Sequence, residues 1–178
     1  MDPVAASQEV EDLRDAWVSD AAPTVPEKAI PGNAVALLRI PEFGPTFEVP
    51  VLKGTTNAVL ARGIGWFEGT AAPGQIGNFA VAGHRGARGP FVPLPGLQPG
   101  ARVEVETVDA VYIYALDNHP ADTVVNDTES WVLDPVPGQP KATATEARIT
   151  LVTCSELFHS PLRAVAFGHL VETRQKRS

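Results

Sequence analysis

Cys154 is the only cysteine among the 178 residues, and so the only side chain able to act as a soft nucleophile. A thiol attacks as its thiolate. With an ordinary pKa of about 8.5, it needs a nearby cation before much of it ionises at neutral pH. His84 follows the apolar run NFAVAG and precedes RGARG, so it stands at a strand end, where a side chain can leave the core and face a cleft. Arg163 opens the strand after the cysteine, nine positions on. If those two strands pair as a hairpin around loop 155–162, its guanidinium neighbours the thiol, where it can stabilise a thiolate or donate to the oxyanion formed when a carbonyl is attacked.

Each of these residues also has an ordinary use. Cysteine is among the most buried residue types and behaves as a small hydrophobe, and Arg163 can serve as a solubilising strand-edge charge. Thr153 and Ser155 flank Cys154 with polar groups where the strand stops, which sets the sulfur at a rim rather than in the core. The other histidines are less well placed. His119 lies in the turn LDNHPAD, His169 sits inside the last strand, and His159, five residues after the cysteine, is near enough to line a cleft but too near along the chain to be an obvious base.

Positioning these groups falls to short strands. Seventeen prolines and fifteen glycines punctuate Val/Ile/Leu/Thr runs, a pattern of tight turns between strands that predicts an all-β barrel or sandwich. Segments 34–43, 46–54, 78–82, 102–107, 111–116, 147–154 and 163–173 read as strands, the fourth and fifth as a hairpin, and one more short strand is expected within 122–147, about eight in all. The segment TTNAVLARGIGWFEGT reads as a short helix followed by a glycine-rich loop. Before the strands, Val10, Leu13 and Trp17 recur at helical spacing with Ser7 as a possible cap, and a proline-rich linker follows. The expected organisation is an N-terminal helix and linker over 1–32, one catalytic domain over 33–173 and a tail over 174–178.

A net charge of -7 and a pI near 5.0 argue against a nucleic-acid partner, which requires clustered lysine and arginine. A single cysteine forms no internal disulfide. No apolar stretch approaches the ~18 residues of a membrane span, and MDPVAASQEV carries no signal-peptide pattern. No clustered carboxylates suggest calcium, EVEDLRD being more simply a helical face, and no metal or cofactor is expected.

The ordered combination TLVTC, then Arg163, with GNFAVAGHRG and GPFVPLPGLQPGARVEV upstream, resembles the sortase family of cell-wall transpeptidases over roughly residues 33–172. Seventy positions separate His84 from Cys154, a spacing that agrees. The resemblance implies an eight-stranded sortase-type β-barrel with short helices. It also implies that Cys154 attacks the Thr–Gly carbonyl of a C-terminal sorting motif and that an amine resolves the thioacyl enzyme. His84 would be the general acid and then the base, and Arg163 the oxyanion donor. Segments HRGARGPF and WVLDPVPG and the Ala/Pro/Val/Arg-rich composition are similar to class E sortases of actinobacteria, which prefer Leu-Ala-x-Thr-Gly over Leu-Pro-x-Thr-Gly. Tyr112, Tyr114, Thr153, Ser155 and His159 are candidates for substrate contact, with a strand-forming role weighed for the tyrosines.

The implied partners are surface proteins bearing the motif and a peptidoglycan-precursor or pilin amine. The implied setting is a monomer on the outer face of a Gram-positive membrane, held by a transmembrane helix outside the sequence given. With ordinary pKa values of ~6.5 for histidine and ~8.5 for cysteine, a minority of molecules would carry the ion pair, which predicts a slow enzyme with a bell-shaped pH profile. A cysteine peptidase using the same intermediate and a non-catalytic cell-surface β-barrel binding module are the alternatives.

Overall fold

Short β-branched runs broken by glycine and proline form nine strands in the computed structural model, which describes residues 34–84, 90–126, 128–154 and 162–176 together with Ala6, Gln8, Val10, Glu11, Leu13 and Arg14. They are β1 (Ala34–Arg39), β2 (Val49–Lys53), β3 (Ile64–Trp66), β4 (Gly77–His84), β5 (Arg102–Glu106), β6 (Ala110–Leu116), β7 (Val124–Asn126), β8 (Ala147–Cys154) and β9 (Leu162–Gln175). Eight run in the order β6-β5-β1-β2-β3-β4-β8-β9, and a β6–β9 pairing closes them into a barrel, with β7 added on the outer side of β9. The expected eight-stranded barrel is therefore the architecture, and among the described residues closure gives each of its eight strands a neighbour on both sides.

β4 and β8 are parallel neighbours, whereas β8–β9, β5–β6 and β6–β9 are antiparallel. A strand covered on both faces loses apolar–polar alternation. This is why β4 is buried at every position until His84. One face of the pair supplies Phe79, Val81, Ile149 and Leu151 to the barrel interior, with Leu38, Val103, Tyr114 and Phe91. The opposite face is covered from outside. There Val152 and Val165 pack with Val125 and Val132 beneath Trp131 and Phe167, whose rings stack 5.8 Å apart.

Asn78 fastens that cover. It is 1% exposed, its Nδ2 donates to the carbonyls of Val132 and Asp134 at 2.9 and 3.0 Å, and its Oδ1 accepts from the Thr150 hydroxyl at 2.7 Å. All polar groups of a buried amide are thus used, which offsets its desolvation.

The N-terminal helical residues Val10 and Leu13 pack on Ala34, Leu37 and Leu52, outside β1 and β2 rather than over β4 and β8. A chain of charges strengthens this side. Arg14 pairs with Glu48 at 2.6 Å, Arg39 with Glu48 and Glu106 at 2.9 Å each, and Lys176 with Glu106 at 2.9 Å. Ser7, Trp17 and the linker lie outside the described residues.

Two expectations need correction. The stretch read as a glycine-rich loop after the helix Asn57–Leu60 contains β3, which runs parallel to β2 through the pairs Val51–Ile64 and Lys53–Trp66. The last strand also outruns its expected end, pairing with β6 as far as Gln175, with Lys176 bonded to Glu106 and the Thr107 carbonyl. No described helix is long and apolar enough to cross a membrane.

Candidate active site

The parallel β4–β8 ladder runs without a shift from Gly77–Ala147 to His84–Cys154. Because both strands run the same way and end together, the sole cysteine and the histidine at the strand end are register partners at one rim of the barrel. A Cβ on Gly83 would meet the Phe91 ring at 2.6 Å, so only glycine lets that buried ring lie across β4 next to His84. The chain then returns so that the Phe91 N–H donates to the His84 carbonyl at 3.1 Å.

Arg163 reaches the same rim on β9. The β8–β9 register ends at Val152–Val165, and the next step is bridged by a side chain. Thr153 Oγ1 accepts from the Ala164 N–H at 2.9 Å and donates to the Ala164 carbonyl at 3.3 Å. One residue beyond on each strand stand Cys154 and Arg163. On its other side β9 is held by β7, with Val125 paired to Arg163, and by Asn118. That amide donates to the Val165 carbonyl and accepts from the Phe167 N–H at 2.9 and 2.8 Å, acting as a short surrogate strand.

Strand alternation puts positions 82 and 84 of β4, 152 of β8, and 163 and 165 of β9 on the outer face. A pocket of about 280 Å³ opens on that face, lined among the described residues by Ala82, Val152 and Arg163 from the strands, by Thr55 and Phe67, and by Val125, Asn126, Glu129, Ser130, Val132 and Leu133. It combines an apolar floor with an arginine and a carboxylate, Glu129. No group of three or more potential metal ligands occurs among the described residues.

The remaining sequence candidates separate. Tyr114 lies fully buried in the barrel core. Its hydroxyl accepts from the Gly74 N–H at 2.7 Å, and burial pushes its pKa to about 12, so it fills the strand role weighed for it. Tyr112, half-buried on the same strand, packs its ring against Gly74, where a Cβ would come within 2.1 Å. Thr153 is buried and committed to β9. Ser155 and His159 lie outside the described residues. His119 is half-buried beside a 3-10 turn, and His169, in β9 as expected, bonds through Nδ1 to Asp117 at 2.6 Å. Sequence reasoning expected one short strand within 122–147, where β7 lies, but did not anticipate that Glu129, Ser130, Val132 and Leu133 line this pocket.

Comparison with known proteins agrees with this geometry. The Sortase domain family matches residues 38–171. Sortase SrtE1 of Streptomyces coelicolor is 35% identical over 179 residues, covering 96% of this chain but 49% of that protein, so the chain spans about half the length of that curated relative. The structure of sortase E from Streptomyces avermitilis superposes with a TM-score of 0.72 at 35% identity, covering 81% of this chain and 91% of the other. The crystal structure of Sortase E1 from Streptomyces coelicolor with a tripeptide in the active site gives 0.69 at 33%, covering 82% and 92%. The barrel is the fold of those sortase structures. The chain belongs to the sortase family.

Proposed function

We propose that this chain cleaves a sorting motif of the Leu-Ala/Pro-x-Thr-Gly type between threonine and glycine and transfers the threonyl group to a cell-wall amine. The observation that carries the reading is the register pairing of His84 with Cys154, with Arg163 arriving on the adjoining strand.

The steps follow from those positions. The Cys154 thiolate attacks the threonine carbonyl carbon, and the negative charge that develops on its oxygen accepts hydrogen bonds from the Arg163 guanidinium, whose planar fork suits an oxyanion. As the intermediate collapses, the C–N bond breaks and His84 gives its proton to the leaving glycine amine, leaving a thioester. An incoming amine attacks that thioester, His84 takes its proton, and the thiolate leaves. Histidine thus acts as acid and then base within one cycle. The pocket's apolar floor of Ala82, Val152 and Val125 suits the small aliphatic residues of the motif. Likeness to sortase E proteins supports the alanine-containing motif, a peptidoglycan or pilin amine as acceptor and a site of action on a Gram-positive cell surface.

The test is mass spectrometry of a Leu-Ala-x-Thr-Gly peptide incubated with the protein, with and without a glycine- or diaminopimelate-type amine. A threonyl adduct on Cys154 and an amine-dependent ligated product are expected. Hydrolysed peptide alone in both reactions identifies a peptidase instead, and an untouched peptide with an unreactive thiol identifies a binding module.

A further inference from the structure

Glu129, three residues after β7, lines the same pocket, and unlike most exposed carboxylates it is held in place. Its Oε2 accepts from the Asn126 N–H at 2.6 Å and its Oε1 from the Trp131 indole N–H at 3.2 Å. Its own N–H donates back to the Asn126 carbonyl at 3.0 Å. The loop between is tightened further by Asn126 Oδ1, which accepts from the Thr128 N–H at 3.2 Å and hydroxyl at 3.1 Å. Trp131 is in turn anchored by stacking on Phe167 of β9. The carboxylate therefore sits in one geometry before any ligand arrives, which removes the ordering cost that usually weakens a surface ion pair. Two bonds to N–H groups leave it acceptor capacity, since a carboxylate offers about four lone-pair sites.

The chemistry of the reaction does not use it. Cleavage requires a thiol, an acid–base group and an oxyanion donor, all assigned to the strand ends, and a negative charge near a developing oxyanion would oppose the step. Its position lining that pocket gives it a part in recognition, with a cation as its partner. The attacking amine is a poor candidate, because a carboxylate favours its protonated, unreactive form.

We propose that Glu129 is a specificity-determining residue that selects sorting peptides carrying a lysine or arginine side chain in the stretch lying along this wall. This rests on the transpeptidase reading above and adds to it the charge of the preferred substrate.

The test compares kcat/KM for three peptides that differ only in lysine, glutamine or glutamate at the variable motif position, and a second set varied at the residue before the motif. The wild-type protein should favour lysine over glutamate by roughly three- to tenfold in one set. The preference should shrink in 0.5 M salt. Glu129→Gln should bring the ratio close to one, and Glu129→Lys should invert it. If the neutral variant disturbs the wall, all peptides slow together and the ratio still reads the charge. An unchanged ratio in both variants overturns the proposal. So does an effect confined to the concentration dependence of the amine, which would assign the cation to the acceptor. Failure of the wild-type protein to turn over any of the peptides sinks the transpeptidase reading itself, a different result from turnover without charge preference.

Discussion

His84 is the register partner of Cys154, the last pair of a ladder that begins at Gly77 and Ala147. Parallel pairing makes the relation independent of any loop, since neither residue can move along its strand without shifting every hydrogen bond behind it. If His84 serves as acid and base and not merely as a counter-charge, His84→Ala should lose activity by at least about 10²-fold at every pH. The kcat/KM profile between pH 5 and 10 checks this. Recovery of the variant at high pH would reduce His84 to a thiol-ionising role, and a flat wild-type profile from pH 6 to 9 would contradict the paired-group mechanism.

Arg163→Lys keeps the charge but loses the planar fork. Turnover of a sorting peptide should fall by about 10²-fold or more, with the folded state unaffected in circular dichroism because Arg163 is partly exposed. Wild-type turnover in this variant would remove the oxyanion role.

Asn78→Ala leaves two carbonyls and a hydroxyl without their partner inside the fold. The expected cost is about 2–4 kcal/mol, seen as a drop of roughly 5–15 °C in Tm. Because the lost bonds fix Val132 and Asp134, KM for the peptide should also rise. A stable variant with unchanged KM would show that the outer cover holds itself in place.

Tyr114→Phe removes an acceptor from the half-buried Gly74 N–H and should destabilise the protein by about 1–2 kcal/mol. In the wild type, burial raises the hydroxyl to about 12. The neutral form is therefore favoured in the folded state. Its stabilisation is complete below the ordinary value of 10 and is lost as pH rises from 10 towards 12. Denaturant titrations at pH 8 and 11 should show a steeper loss for wild type than for Tyr114→Phe.

Glu106 is expected to matter at the acid end. Burial acts to raise its pKa, but the hydrogen bonds and charges of Lys176 and Arg39 outweigh it and leave the group below its ordinary value. Its contribution is therefore present above about 4.5 and disappears as pH falls through the lower folded value. Lys176→Met should lower Tm by about 1–3 °C at pH 7 and by nothing measurable at pH 2.5. An equal shift at both values would mean that Lys176 acts by packing alone.

The placing of His84 and Cys154 at strand ends was legible because it is local. A glycine and histidine closing the buried run of β4, and a cysteine where an apolar strand turns polar, are patterns that neighbouring residues create. The barrel was legible for the same reason. β3 was not, since three residues with Gly65 in the middle hold no period, and their pairing with β2 is decided by partners elsewhere. Asn78 was read only as the start of the strand 78–82, and the returning chain at Val132 and Asp134 shows why an amide is placed there. The wall carrying Glu129 has no periodicity at all. Its shape comes from hydrogen bonds within a short loop and from an indole stacked on β9.

The parallel β4–β8 pairing also governs when the molecule becomes competent. Parallel neighbours cannot be joined by a tight turn, and here the connection between the two strand ends contains β5, β6 and β7. Contacts of such sequence separation form late and slowly, after nearer ones have reduced the entropy of closing the loop. Under the proposed transpeptidase reading, Cys154 would therefore lack its histidine partner until the β4–β8 ladder forms, and a partly folded chain would be chemically idle rather than a weak version of the finished one.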